Sequence, residues 1–73
     1  MSDTTTAAIR VNGQDEPLSA ATIATLLESK DISPQMRGVA VARNGAVVPR
    51  AEWPTTALCP GDMIEIVLAR QGG

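Results

Sequence analysis

Two Asn-Gly pairs, Asn12-Gly13 and Asn44-Gly45, restrict the fold of this chain more than any other feature. A two-residue type I′ hairpin turn needs positive φ at both central positions, and asparagine followed by glycine meets that demand at little steric cost. Each pair therefore predicts a point where two antiparallel strands meet. Ahead of the first, Ile9 and Val11 alternate with Ala8 and Arg10 over residues 7–12, the period of a strand buried on one face. Residues 14–19 return as its partner, and Pro17, which lacks an amide hydrogen, places that partner at a sheet edge. The second pair is the stronger signal because apolar alternation flanks it on both sides. Val39 and Val41 alternate with Ala40 and Ala42 over residues 37–43, and residues 47–50 form a short strand closed by Pro49.

Between the hairpins lies the one convincing helix. Ile23, Leu26 and Leu27 recur at helical spacing, Ala20 and Ala24 extend the stripe, and Ser19 or Thr22 supplies the N-cap. The helix ends near Lys30, a cation suited to the C-terminal end of the dipole, before Ser33-Pro34 breaks the pattern. Trp53-Pro54 and Cys59-Pro60-Gly61-Asp62 bracket a connection to a last strand over residues 63–69, with Ile64, Ile66 and Leu68 expected to face inward.

The order strand, strand, helix, strand, short strand, strand is an α+β arrangement in which one helix covers one face of a mixed sheet. The first and last strands carry the most β-branched residues, so they are expected to pair in parallel at the centre, each hairpin extending outward. That is the β-grasp, or ubiquitin-like, roll. The expected organisation is a disordered polar lead over residues 1–6, a β-grasp domain over 7–69 and a flexible tail over 70–73.

At 73 residues, there is material for one core only. There is no histidine, which removes the commonest general base and nitrogen metal ligand, so neither catalysis by this chain nor a metal site is expected. A net charge of −2 argues against nucleic acid as a direct partner. The single cysteine, Cys59, cannot close an intrachain disulfide, which fits a reducing cytoplasm. No membrane span or signal peptide is evident, so a cytoplasmic protein, monomeric when free and away from membranes, is expected.

Two features point to function. The sheet face away from the helix should carry Ala40, Ala42, Met63, Glu65, Val67 and Ala69, interrupted by Arg10 and Arg43 as well as Glu65. It is either a face on which partner proteins dock or the ordinary apolar share of a protein surface. The chain then ends Arg70-Gln71-Gly72-Gly73 directly after the last strand. Glycines lack Cβ atoms and can thread a channel too tight for other residues, and the α-carboxylate of Gly73 is ionised at neutral pH, its ordinary pKa being ~3.3–3.7. Composition alone leaves open whether this end works or merely frays.

Several motifs together resemble the ThiS family, the thiamine-pathway branch of the ubiquitin-like sulfur carriers. They are Val39-Ala40-Val41-Ala42-Arg43-Asn44-Gly45, Val48-Pro49-Arg50 with Trp53 three residues on, Leu58, Gly61-Asp62, Ile64-Glu65-Ile66 and Gly72-Gly73. The resemblance spans residues 9–73. A terminal diglycine is shared by other carriers, and the Val-Pro-Arg-x-x-Trp element followed by Gly-Asp is what discriminates. The resemblance implies a protein co-substrate with no bound cofactor, modified by others. An E1-like adenylyltransferase would use ATP and magnesium to adenylate Gly73. A persulfide derived from a cysteine desulfurase would convert it to a thiocarboxylate, and thiazole synthase would receive the sulfur. Gly72, Gln71 and Arg70 would occupy the partner's channel.

This sequence departs from many relatives in Arg70-Gln71 and in its polar lead; Arg70 is either a solvated base at a strand end or an influence on partner choice. Sulfur supply to molybdopterin or tRNA thiolation remains an alternative, as does a non-covalent β-grasp interaction module. Trp53 is expected as satellite core over a sheet edge or as a partner contact, and Cys59 as a small apolar filler. Asp62 is expected to form a side-chain turn, and Asp15, Glu16 and Glu28 to be solvated charges.

Overall fold

The computed structural model of the protein describes residues 7–69. The lead 1–6 and the tail 70–73 lie outside the described residues, and with them the expectations placed on Arg70, Gln71, Gly72 and Gly73. Along the chain run β1 (Ala8–Val11), β2 (Gln14–Pro17), α1 (Ile23–Ser29), β3 (Val39–Arg43), β4 (Ala46–Val47), a 3₁₀ turn at Arg50–Glu52, and β5 (Met63–Leu68).

Both Asn-Gly pairs form the expected turns. Asn12 and Gly13 have φ of 51° and 83°, Asn44 and Gly45 of 52° and 88°, the signs of type I′ geometry. Each asparagine also uses its side chain to lengthen the ladder of the strand beside it. Asn12 Oδ1 accepts from the Ile66 amide at 2.8 Å, and Asn44 Oδ1 accepts from the Met63 amide at 2.9 Å. The two turns thus grip β5 from opposite sides.

The five strands stand in the order β2-β1-β5-β3-β4. β1 pairs with β5 in parallel, and every other neighbouring pair is antiparallel. The first and last strands therefore meet inside the sheet and the hairpins extend outward, which is the β-grasp roll.

The helix stripe packs on one sheet face. Ile23, Leu26 and Leu27 join Ile9, Val11, Val39, Val41, Ile64 and Ile66 in a single core. Thr22 is the N-cap: its hydroxyl accepts from the Thr25 amide at 3.2 Å. The preceding helical amides, which no residue within the helix can satisfy, donate instead to the Thr56 carbonyl from Ile23 and to the Trp53 carbonyl from Ala24. The connection after β4 therefore closes the start of the helix as well as covering the core. Lys30 lies at the C-cap, but its ammonium turns to Glu16 on β2 at 2.6 Å, so Glu16 is paired rather than simply solvated.

Four expectations need correction. The strand expected over residues 47–50 is β4, two residues long at Ala46–Val47; Arg50 belongs to the 3₁₀ turn. Leu68 has inward parity but is 51% exposed, because it sits at the end of β5 beyond the cover of the short helix. Trp53 is 2% exposed and part of the main core rather than a satellite; its indole Nε1 donates to the Val48 carbonyl at 2.9 Å. Cys59 is exposed, not a filler. Among the described residues no helix is long and apolar enough to cross a membrane.

Candidate functional site

Strand alternation turns Met63, Glu65 and Val67 of the central strand to the side away from the helix. Register sets their neighbours: Val67 lies opposite Ala40, Glu65 opposite Ala42, and Met63 beside Arg10. The structure thus brings together the predicted docking residues Ala40, Ala42, Met63, Glu65 and Val67, with exposed Ala69 just past the end of β5. The alanines are short, so Met63 and Val67, 55% and 58% exposed, stand above them. Arg10 pairs with Asp15 across the hairpin at 3.1 Å, while Glu65 has no ionic partner among the described residues. A shallow depression between the two turns is lined by Arg10, Gly13, Asn44, Gly45, Met63 and Glu65. This face is apolar, thinly charged and lacks grouped metal ligands: among the described residues no three Cys, Asp or Glu side chains converge. It is suited to protein contact.

Arg43 does not belong to it. Its parity is that of Val39 and Val41, and it turns to Asp62, whose carboxylate is buried. Arg43 Nε donates to Asp62 Oδ2 at 2.8 Å, the Cys59 amide to the same oxygen at 2.8 Å, and Asn44 Nδ2 to Oδ1 at 3.0 Å. Asp62 therefore does more than shape its own turn, since it ties that turn to the second hairpin. Arg43 Nη2 also lies 3.8 Å from Cys59 Sγ.

Burial on its own pushes the Asp62 carboxyl up. The hydrogen bonds from Arg43, the Cys59 amide and Asn44, together with the charge of Arg43, outweigh it and hold the carboxyl below its ordinary value. Because the folded value is depressed, its stabilisation is present above the ordinary value of 3.8 and is lost as pH falls through the lowered one. Asp62→Asn should cost about 1.5–3 kcal/mol near neutral pH. Urea unfolding at a series of pH values should show the gap from wild type narrowing in acid; a gap independent of pH would refute this account.

At the opposite end of β5 the chain leaves the sheet. The Ala69 amide donates to the Gly38 carbonyl at 2.7 Å, continuing the β3 and β5 register by one pair. Gly38 has φ of 78°. The loop before it is held by Arg50, whose guanidinium donates to the Pro34 carbonyl and, at 2.8 Å, to the Met36 carbonyl. The same guanidinium stacks 4.6 Å above the Trp53 ring. Gly38 and this action of Arg50 were not singled out from the sequence. The available signal was a glycine immediately before an alternating run, where positive φ is common.

The comparisons with known proteins agree with this architecture. The model of the ThiS family matches residues 6–73. The chain belongs to the ThiS family. It is 35% identical over 63 residues to the sulfur carrier protein ThiS of Thermus thermophilus, covering 86% of this chain and 95% of that one. A crystal structure of a ThiS thiamine biosynthesis protein from Geobacter metallireducens superimposes with a TM-score of 0.72 at 28% identity, covering 90% of this chain and 99% of that one. A solution structure of a thiamine biosynthesis protein from the same organism gives a TM-score of 0.72 at 28% identity, covering 90% of this chain and 87% of that one. Within the ThiS motifs quoted above, Trp53 and Leu58 are core, Arg50 is a clamp, and Asp62 is a buried tie.

Proposed function

We propose that this chain is a sulfur carrier of thiamine biosynthesis whose working group is the α-carboxylate of Gly73. The observation that carries the reading is positional: the central strand of a ThiS-family roll ends beside an exposed apolar face, and the sequence runs on from Ala69 through Arg70 and Gln71 to Gly72 and Gly73. An E1-like adenylyltransferase docks on the face formed by Ala40, Ala42, Met63, Glu65, Val67 and Ala69. With magnesium-bound ATP, a carboxylate oxygen of Gly73 attacks the α-phosphorus and expels pyrophosphate. This replaces a poor leaving group with AMP. The terminal sulfur of a persulfide, supplied through a cysteine desulfurase, then attacks the acyl carbon and expels AMP. A second thiol cleaves the resulting acyl disulfide, leaving the thiocarboxylate and a disulfide between the thiols.

Glycine suits this step because no side chain blocks approach to the acyl carbon and no stereocentre is exposed to loss on activation. Thiazole synthase accepts the sulfur. The chain serves as co-substrate and catalyses none of these steps. The thiols this chemistry consumes place it in a reducing compartment, the cytoplasm. Intact-mass analysis of protein from thiamine-starved cells is expected to show exchange of one oxygen for sulfur within the C-terminal fragment. A chain that carries only its carboxylate there, and after incubation with adenylating enzyme, ATP and persulfide donor, refutes the proposal.

A further inference from the structure

We propose that Gly38 is a positioning residue for that reaction: its bare α-carbon sets where the C-terminal segment leaves the sheet. The inference rests on the sulfur-carrier reading above. A Cβ at position 38 would lie 2.9 Å from the Ala69 carbonyl oxygen and 3.3 Å from the Ala69 Cβ. Gly13, Gly45 and Gly61 also have positive φ, yet a Cβ at any of them meets nothing within 4 Å. At those positions glycine answers only a backbone requirement, whereas at Gly38 it also makes room for the residue from which the tail departs.

Gly38 has little freedom to recoil. Behind it Arg50 holds the Pro34 and Met36 carbonyls, and ahead of it Val39 is paired with Leu68 in the sheet. Ala69 is exposed and past the last residue of β5, so it is the partner that yields. A side chain at 38 therefore shifts the root of the segment that carries Gly73 while leaving Met63, Glu65 and Val67 in place. Docking and chemistry respond differently: the exposed face governs KM, and the placement of the carboxylate against ATP governs kcat.

The test compares wild type, Gly38→Ala and Gly61→Ala as substrates of the adenylating enzyme, measuring AMP-forming turnover against carrier concentration. Gly38→Ala is expected to lower kcat at least about tenfold, toward the roughly hundredfold cost of a misplacement near 1 Å, with KM changed less than about threefold. Gly61→Ala carries a comparable φ penalty without the contact and should keep kcat within about twofold. Wild-type kcat in Gly38→Ala, a loss confined to KM, or an equal kcat loss in Gly61→Ala overturns the inference. Should Gly38→Ala not fold, Arg50→Gln decides, because it frees the loop backing Gly38; kcat within about twofold of wild type then refutes the proposal. Absence of turnover with the wild-type chain refutes the sulfur-carrier reading and this inference together, whereas equal turnover with wild type and Gly38→Ala refutes the inference alone.

Discussion

A chain ending at Gly72 is expected to accept no sulfur at all, and a chain carrying one residue beyond Gly73 to fail equally unless a protease trims it. Losing one residue shortens the reach from Ala69 by about 3.3–3.6 Å, several times the misplacement that already costs about a hundredfold in rate. An added residue displaces the carboxylate the opposite way and brings a side chain where the channel admits only glycine. The exposed face is untouched by either change, so affinity for the adenylating enzyme should be largely retained. Mass analysis after incubation with that enzyme, ATP and persulfide donor, alongside a binding titration, separates the two effects. Thiocarboxylate on the truncated chain would mean that Gly73 is not the loaded residue. A non-covalent interaction module, by contrast, would retain all its function when truncated.

Trp53→Ala is expected to produce the largest loss of stability of any single substitution in the described core. The indole is among the largest fully buried side chains, donates to the Val48 carbonyl at 2.9 Å, and supports the Arg50 guanidinium at 4.6 Å. Truncating a buried aromatic costs about 3–5 kcal/mol, much of the roughly 5–15 kcal/mol that holds a small domain together. The carbonyl of Trp53 also satisfies the Ala24 amide at the start of α1, so a shifted backbone there would loosen the helix as well. Trp53→Phe retains most of the apolar volume and should lose less, chiefly the bond to Val48. Urea unfolding followed by circular dichroism measures both, and a loss below about 1 kcal/mol for the alanine variant would show that Trp53 is peripheral after all.

The exposed face was largely legible because the residues on it obey a period of two, and parity survives folding once the strand is known. Arg43 shows how that reading fails. Counted by charge it belonged with the solvated residues, but parity placed it with Val41, and a buried carboxylate on another segment made the position tolerable. Leu68 failed in the opposite direction, since correct parity cannot show how far the helix reaches. Trp53 and Cys59 lie in the connection between Pro49 and Asp62, which has no period to read, and their burial depends on which surface that connection crosses. Gly38 was visible as a glycine, but its demand for space comes from Ala69, thirty-one positions away.

Local chemistry was enough to determine both hairpin turns, the helix and its Thr22 cap, and the apolar faces of the three inner strands. Each depends on backbone preferences or periodicities contained within a few consecutive residues. Assembly decided the rest: the buried Asp62 tie, the Arg50 clamp, the place of Trp53 in the core, and the contact between Gly38 and Ala69. Those features join segments far apart along the chain, and whether a polar group is satisfied or a methyl group has room depends on which atoms arrive from elsewhere.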